Sequence, residues 1–207
     1  MNLSQTLAAA EAERRSKRDP ALTDKMDKAT ADLDASGLAE KSLKVGDKAP
    51  YFSLTNALGS TVSLAEELSK GPVILSFYRG GWCPYCNLEL QFLQSFLDDF
   101  RKAGASLLAV SPESPDKSLS TKEKNELDFE VLSDTDNKVA HTYGLVFQLP
   151  DYLESMYQDK LSTDTYDLPL PATYLVAQDG TIHYAFAKAD YTKRADPEAI
   201  LDALNKL

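Results

Sequence analysis

The chain is poor in the residues from which metal sites and disulfide frameworks are built: its 207 residues include two cysteines and two histidines. A small secreted fold held by several bridges is therefore excluded. A structural zinc site needs a second ligand pair at suitable distance, and His141 and His183 stand far apart with no such spacing. No metal and no cofactor is expected. Positive charge is short as well: 22 Lys and Arg against 32 Asp and Glu leave a net charge of -10. That balance argues against nucleic acid and anionic membrane surfaces as partners. No apolar run approaches the length of a membrane span, and the N-terminal stretch is neither apolar nor basic enough for a signal peptide. The compartment expected on these grounds is the cytoplasm. Cysteine pairs there are catalytic or metal-binding more often than structural.

Both cysteines fall in one stretch, FYRGGWCPYCNLEL, at 77–90. An apolar run over 72–78 leads into it, rich in β-branched and aromatic residues, and reads as a buried strand. Arg79, Gly80 and Gly81 break that strand with a sharp turn. Leu88, Leu90, Phe92, Leu93, Phe96, Leu97 and Phe100 then mark a helix running to about residue 103. Cys83 and Cys86 stand where that helix begins. Its first turn carries unpaired N–H groups and roughly half a positive charge, which favours a thiolate. Pro84 lies near the first helical position, where its missing N–H costs nothing. Two bland readings compete: buried core cysteines and a short structural disulfide. The placement behind Trp82 and around Pro84 and Tyr85 speaks against the first. The small entropy removed by so short a loop speaks against the second. A redox pair is expected, with Cys83 the solvent-reachable attacker and Cys86 the resolver.

The remainder reads as one α/β domain with an appendage. Residues 1–43 lack aromatics and carry two weak apolar stripes, Leu3, Leu7 and Ala10, then Leu22, Met26, Ala29 and Leu33. They predict two amphipathic helices separated at Asp19-Pro20 and packed on the domain; a dimer arm, hence a homodimer, is the alternative. From about residue 44 the pattern gives a hairpin over 52–64, the central strand and helix, and a second strand at 105–110. A polar helix at 117–125, a short strand at 129–132 and a helix through 143 follow. A polar insertion spans 150–168. The chain ends with a hairpin of strands at 171–177 and 182–187 and a terminal helix after Pro197. Asp190 to Arg194, behind the last strand, either frames the site or forms an ordinary polar turn. Arg79 either stabilises a thiolate or binds a carboxylate such as Glu89.

Several segments in order, VGDKAPYFSLTNALGSTVSL, PVILSFYRGGWCPYCNLEL, LLAVSPES, FEVLSDTDNKVAHTYGL and PATYLVAQDGTI, resemble the alkyl hydroperoxide reductase and thiol-specific antioxidant branch of the thioredoxin superfamily, the peroxiredoxin-like family. The resemblance covers about 44–207. It implies a thioredoxin-like fold with a central mixed sheet flanked by helices. The family frame puts Arg79 at its proline, Cys83 at its threonine and Cys86 at its peroxidatic cysteine. Where the family has an arginine before the strand at 171–177, this chain has Pro171. A proline there resembles the cis-proline of thioredoxins and glutaredoxins, and WCPYC is similar to their active-site motif. The resemblance thus implies reduction of a hydroperoxide, with thioredoxin or glutathione as reductant. The alternatives are a thiol–disulfide oxidoreductase acting on a disulfide substrate and a non-catalytic redox sensor. Gly81, Trp82, Pro84, Tyr85 and Pro171 are expected to frame the site.

Overall fold

The computed structural model of the protein describes residues 2–161 and 165–207. Three helices come first, α1 (Leu3–Lys17), α2 (Pro20–Ala35) and α3 (Leu38–Lys41). Asn2 caps α1 through a capping box with Gln5, and Asp19 caps α2, whose first residue is Pro20. Then follow β1 (Ser53–Asn56), β2 (Thr61–Ser63), α4 (Leu64–Lys70), β3 (Val73–Phe77), α5 (Pro84–Ser95), α6 (Leu97–Lys102), β4 (Ser106–Ser111), α7 (Pro115–Lys124) and β5 (Glu130–Ser133). The last stretch adds α8 (Lys138–Thr142), β6 (Val146–Gln148), α9 (Asp151–Tyr157), β7 (Asp167–Pro169), β8 (Ala172–Val176), β9 (Ile182–Ala187) and α10 (Pro197–Leu204).

The main sheet has the order β2-β1-β5-β4-β3-β8-β9. β3, β4 and β5 run parallel, and the pairs on either side of them are antiparallel. Every residue of β3 is buried, which suits a central strand covered on both faces. Its alternation splits the core into two layers. Ile74, with Leu107, Ala109 and Leu175 of its neighbours, faces α5, α6 and α10. Val73, Leu75 and Phe77, with Leu108, Val110 and Tyr174, face α4 and α8.

The N-terminal stripe faces inward: Leu3 and Leu7 are buried in the same apolar layer as Leu90 and both cysteines, and α1 lies against α5. α2 serves a different purpose. Its Met26 packs with Leu149, Leu153, Tyr157 and Leu168 in a third, smaller cluster between α2, α9 and the β6–β7 hairpin. The expected polar insertion is therefore in part a helix with an apolar face; residues 162–164 of it lie outside the described residues. One helix was expected from the cysteines to residue 103. Two are observed, because the backbone tightens at Phe96 (φ -101°, ψ 0°), whose N–H bonds Leu93 three residues back.

Candidate active site

β3 delivers the chain to the site. Beyond Phe77 the backbone turns through Gly80, at φ +145°, a conformation that side chains rarely adopt. Gly81 follows, and its N–H donates to the buried carboxylate of Glu113 at 3.0 Å. Burial pushes the Glu113 carboxyl up, against the pull of Gly81 and the Thr121 hydroxyl. A methyl group on Gly81 would run into that hydroxyl. Gly81→Ala should therefore destabilise the protein by about 1–3 kcal/mol, the range for overpacking; a thermal melt unchanged from wild type would contradict the close fit.

α5 opens with Cys83 at its N-cap, Pro84 at its first position and Cys86 two further on. Both cysteines are free. Cys86 is fully buried and Cys83 is only 1% exposed, so the expectation that solvent reaches Cys83 is corrected. The segments that enclose the site are the reason. Trp82 packs edge-on against Tyr157 of α9 at 5.3 Å, and Tyr85 packs against Tyr191 at 5.6 Å. The Tyr85 hydroxyl donates to Glu11 of α1.

Two arginines flank the thiols. The Arg79 guanidinium is buried and lies over the rings of Trp82, Tyr157 and Tyr191 at 5.1, 5.5 and 5.0 Å. It does not bind Glu89, which turns inward one helical turn above Cys86. Arg194 takes that carboxylate, Nε to Oε2 at 2.5 Å, and its Nη2 donates to Cys86 Sγ at 3.2 Å. Burial pushes Glu89 up to about 7, against the attraction of Arg194. The stretch Asp190 to Arg194 thus frames the site.

The cysteines ionise as a pair. Burial opposes a charge on Cys83, but the hydrogen bond from Cys86 and the charges of Arg79 and Arg194 outweigh it and hold this thiol at about 5, against an ordinary 9.0. Cys86 is raised, by burial first and then by the adjacent Cys83, with Arg194 pulling the other way. One proton and one negative charge are shared between the two sulfurs. The sign is that of a depressed acid: thiolate persists throughout the neutral range and is lost as pH falls through about 5. The thiolate absorbance of the reduced protein should titrate there; a midpoint near that of a free thiol, about 8.5, would contradict the electrostatics.

Pro171 corrects a second expectation. Among the described residues no peptide bond is cis, so the Leu170–Pro171 bond is trans. The Leu170 N–H bonds the Leu145 carbonyl at 2.8 Å and the chain enters β8 extended, with no turn to make. The register that pairs Phe77 with Ala172 still brings Pro171 to the end of β3, where it and Arg79 border one cavity. His141 and His183 are exposed and belong to no site.

Sequence reasoning left Arg194 undecided and passed over Tyr157. Glu89 had a visible signal: a carboxylate three residues after Cys86, in register with the buried Leu90 and Leu93 stripe. Arg194 had none, being 108 residues from its thiol.

A thiol pair set at the helix that follows the central strand of a mixed sheet defines a redox protein on a thioredoxin-like core. Comparison with known proteins carries this further. The AhpC/TSA family profile matches residues 45–185. Peroxiredoxin Bcp of Escherichia coli is 32% identical over 144 residues, 70% of this chain and 85% of the relative. The putative peroxiredoxin bcp of Haemophilus influenzae is 30% identical over 165 residues, 80% and 98% of the two chains. The crystal structure of peroxidoxin BcpB from Mycobacterium tuberculosis superposes with a TM-score of 0.65 at 22% identity, covering 80% of this chain and 98% of that one; this likeness concerns the fold. The chain belongs to the AhpC/TSA family. It is a peroxiredoxin-like, thiol-dependent antioxidant oxidoreductase, and no helix among its described residues is long and apolar enough to cross a membrane.

Proposed function

We propose that the enzyme reduces hydroperoxides through Cys83 and Cys86. The observation that carries this reading is the pair of free cysteines buried at the start of α5, with Arg194 donating to Cys86 and the charges of Arg79 and Arg194 favouring a thiolate on Cys83. Cys83 is the attacker. It is the more acidic thiol, and Arg79, which borders the cavity, acts on it more strongly than Arg194 does. The Cys83 thiolate forms an S–O bond with the hydroperoxide as the O–O bond breaks. The alcohol leaves after taking up a proton, and Cys83 is left as a sulfenic acid. Cys86 sulfur then attacks the sulfenic sulfur, water leaves, and the disulfide closes. The hydroperoxide gains two electrons and the thiol pair loses two. A thioredoxin-type dithiol, or glutathione, returns them by thiol–disulfide exchange. Such a cycle suits the reducing cytoplasm. Gly81, Pro84 and the rings of Trp82 and Tyr85 hold the turn and enclose the thiols, and the helical extension over 1–43 completes the cover.

The trans bond at Pro171 withdraws one argument for a thioredoxin-like site, and the Arg194 contact supports a second reading in which Cys86 attacks. Trapping sulfenic acid after one equivalent of hydroperoxide separates the two. Cys86→Ser should accumulate sulfenic acid on Cys83. If Cys83→Ser instead traps it on Cys86 at the wild-type rate, the roles are reversed. If neither variant reacts faster than a free thiol, hydroperoxide reduction is wrong.

A further inference from the structure

Arg79 is a buried cation whose countercharge is chemical rather than structural. Glu89 neutralises Arg194 at 2.5 Å. Among the described residues no carboxylate pairs with Arg79. Its guanidinium hydrogen-bonds only the Tyr157 hydroxyl among the described residues, at 3.3 Å, and its Nε has no partner there. The three aromatic rings offset part of the charge. Tyr157 first, then Cys83 and Cys86, are the ionisable groups that act on its charge, and the Cys83 thiol is the one held acidic, so the thiolate supplies the remaining balance. That balance is lost when the pair becomes a disulfide, because both sulfurs are then neutral while a guanidinium keeps its proton. A buried charge left unpaired is costly.

Arg79 borders a cavity of about 260 Å³. Its walls are largely apolar: Met26 and Leu33 of α2, Phe147 of β6 and Leu149 just after it, and Leu153 and Tyr157 of α9. Asp32 also borders it but is tied to Lys28 at 2.5 Å and is well exposed. An apolar cavity of roughly 150 Å³ admits benzene, so this one has room for a ring or a short alkyl chain with a compact head group. We propose that the cavity binds a small amphipathic anion, an apolar carboxylate whose head group pairs with Arg79, and that it does so preferentially when Cys83 and Cys86 are joined. The inference rests on the thiolate and disulfide of the proposed reaction. It adds a ligand that senses the redox state of the site. By reciprocity the carboxylate stabilises the disulfide form by the factor that the disulfide gains in affinity.

The test is calorimetric titration of octanoate into the full chain, once reduced and once oxidised with diamide, with free thiols counted in each. Oxidation should tighten binding by about 10-fold, within the usual range of coupling between sites. Arg79→Met should abolish binding to the oxidised form. Ala29→Phe, on the α2 wall, should block binding while the thiol count still falls on oxidation. Equal affinity in the two redox states, or undiminished binding by both variants, overturns the inference. A thiol count unmoved by diamide would sink this inference and the redox-pair reading together, whereas paired thiols with unchanged octanoate affinity would sink this inference alone.

Discussion

Arg194→Met should lower stability by about 3–5 kcal/mol, the cost of stranding one member of a buried ion pair. Arg194 and Glu89 are each 1% exposed at the side chain and meet at 2.5 Å, so neither has water as an alternative partner. The same guanidinium also donates to the backbone carbonyls of Tyr191 and Lys193, tying the segment after β9 to α5. Methionine keeps the bulk and removes the charge and every donor. Glu89, already up at about 7, would rise further and turn neutral, which limits the cost toward the lower end. For a chain of this size the loss corresponds to a melting point lower by about 6–20 °C. Combining Arg194→Met with Glu89→Leu should recover most of it, since an apolar pair of similar bulk often replaces a buried ion pair without loss. A single variant that melts with the wild type would show that the pair does not anchor the site. The thiol effect is separate: without the Nη2 donor on Cys86, the shared thiolate should titrate at higher pH.

Cys83→Ser should abolish catalytic turnover of a hydroperoxide, a loss of about three orders of magnitude or more, as expected when a nucleophile is removed. A serine hydroxyl in this position is not ionised by two arginines and a thiol donor, so the electrostatics that hold Cys83 at about 5 act on nothing. Cys86→Ser should behave differently. It retains one round of reaction and stops at the sulfenic acid, because the partner that closes the disulfide is gone. The split to measure is burst against steady state. Cys86→Ser gives a burst of one alcohol per chain, and Cys83→Ser gives none. A full burst from Cys83→Ser would assign the attack to Cys86.

The strand, glycine turn, cysteine pair and helix were legible in sequence because each rests on neighbours in the chain: β-branched residues over 72–78, two glycines, and a proline at the first helical position. The mixed sheet and its closing β8–β9 hairpin followed from alternation and a turn, Asp179-Gly180. Enclosure was not legible. Cys83 reads as exposed when only the helix start is considered. What buries it is Trp82 against Tyr157 and Tyr85 against Tyr191 and Glu11, partners 74 residues or more away in sequence. The trans bond at Pro171 was missed because a proline before a strand carries no mark of its isomer. Arg194 was left undecided because a cation in a polar turn looks the same whether its guanidinium reaches solvent or a thiol.

The central claim is that Cys83 and Cys86 form one redox unit that a hydroperoxide oxidises. Reduced protein mixed with one equivalent of cumene hydroperoxide, quenched and mapped by peptide mass, tests it most directly. The account predicts a Cys83–Cys86 disulfide and release of one cumyl alcohol per chain. Unmodified thiols with the hydroperoxide intact would contradict it.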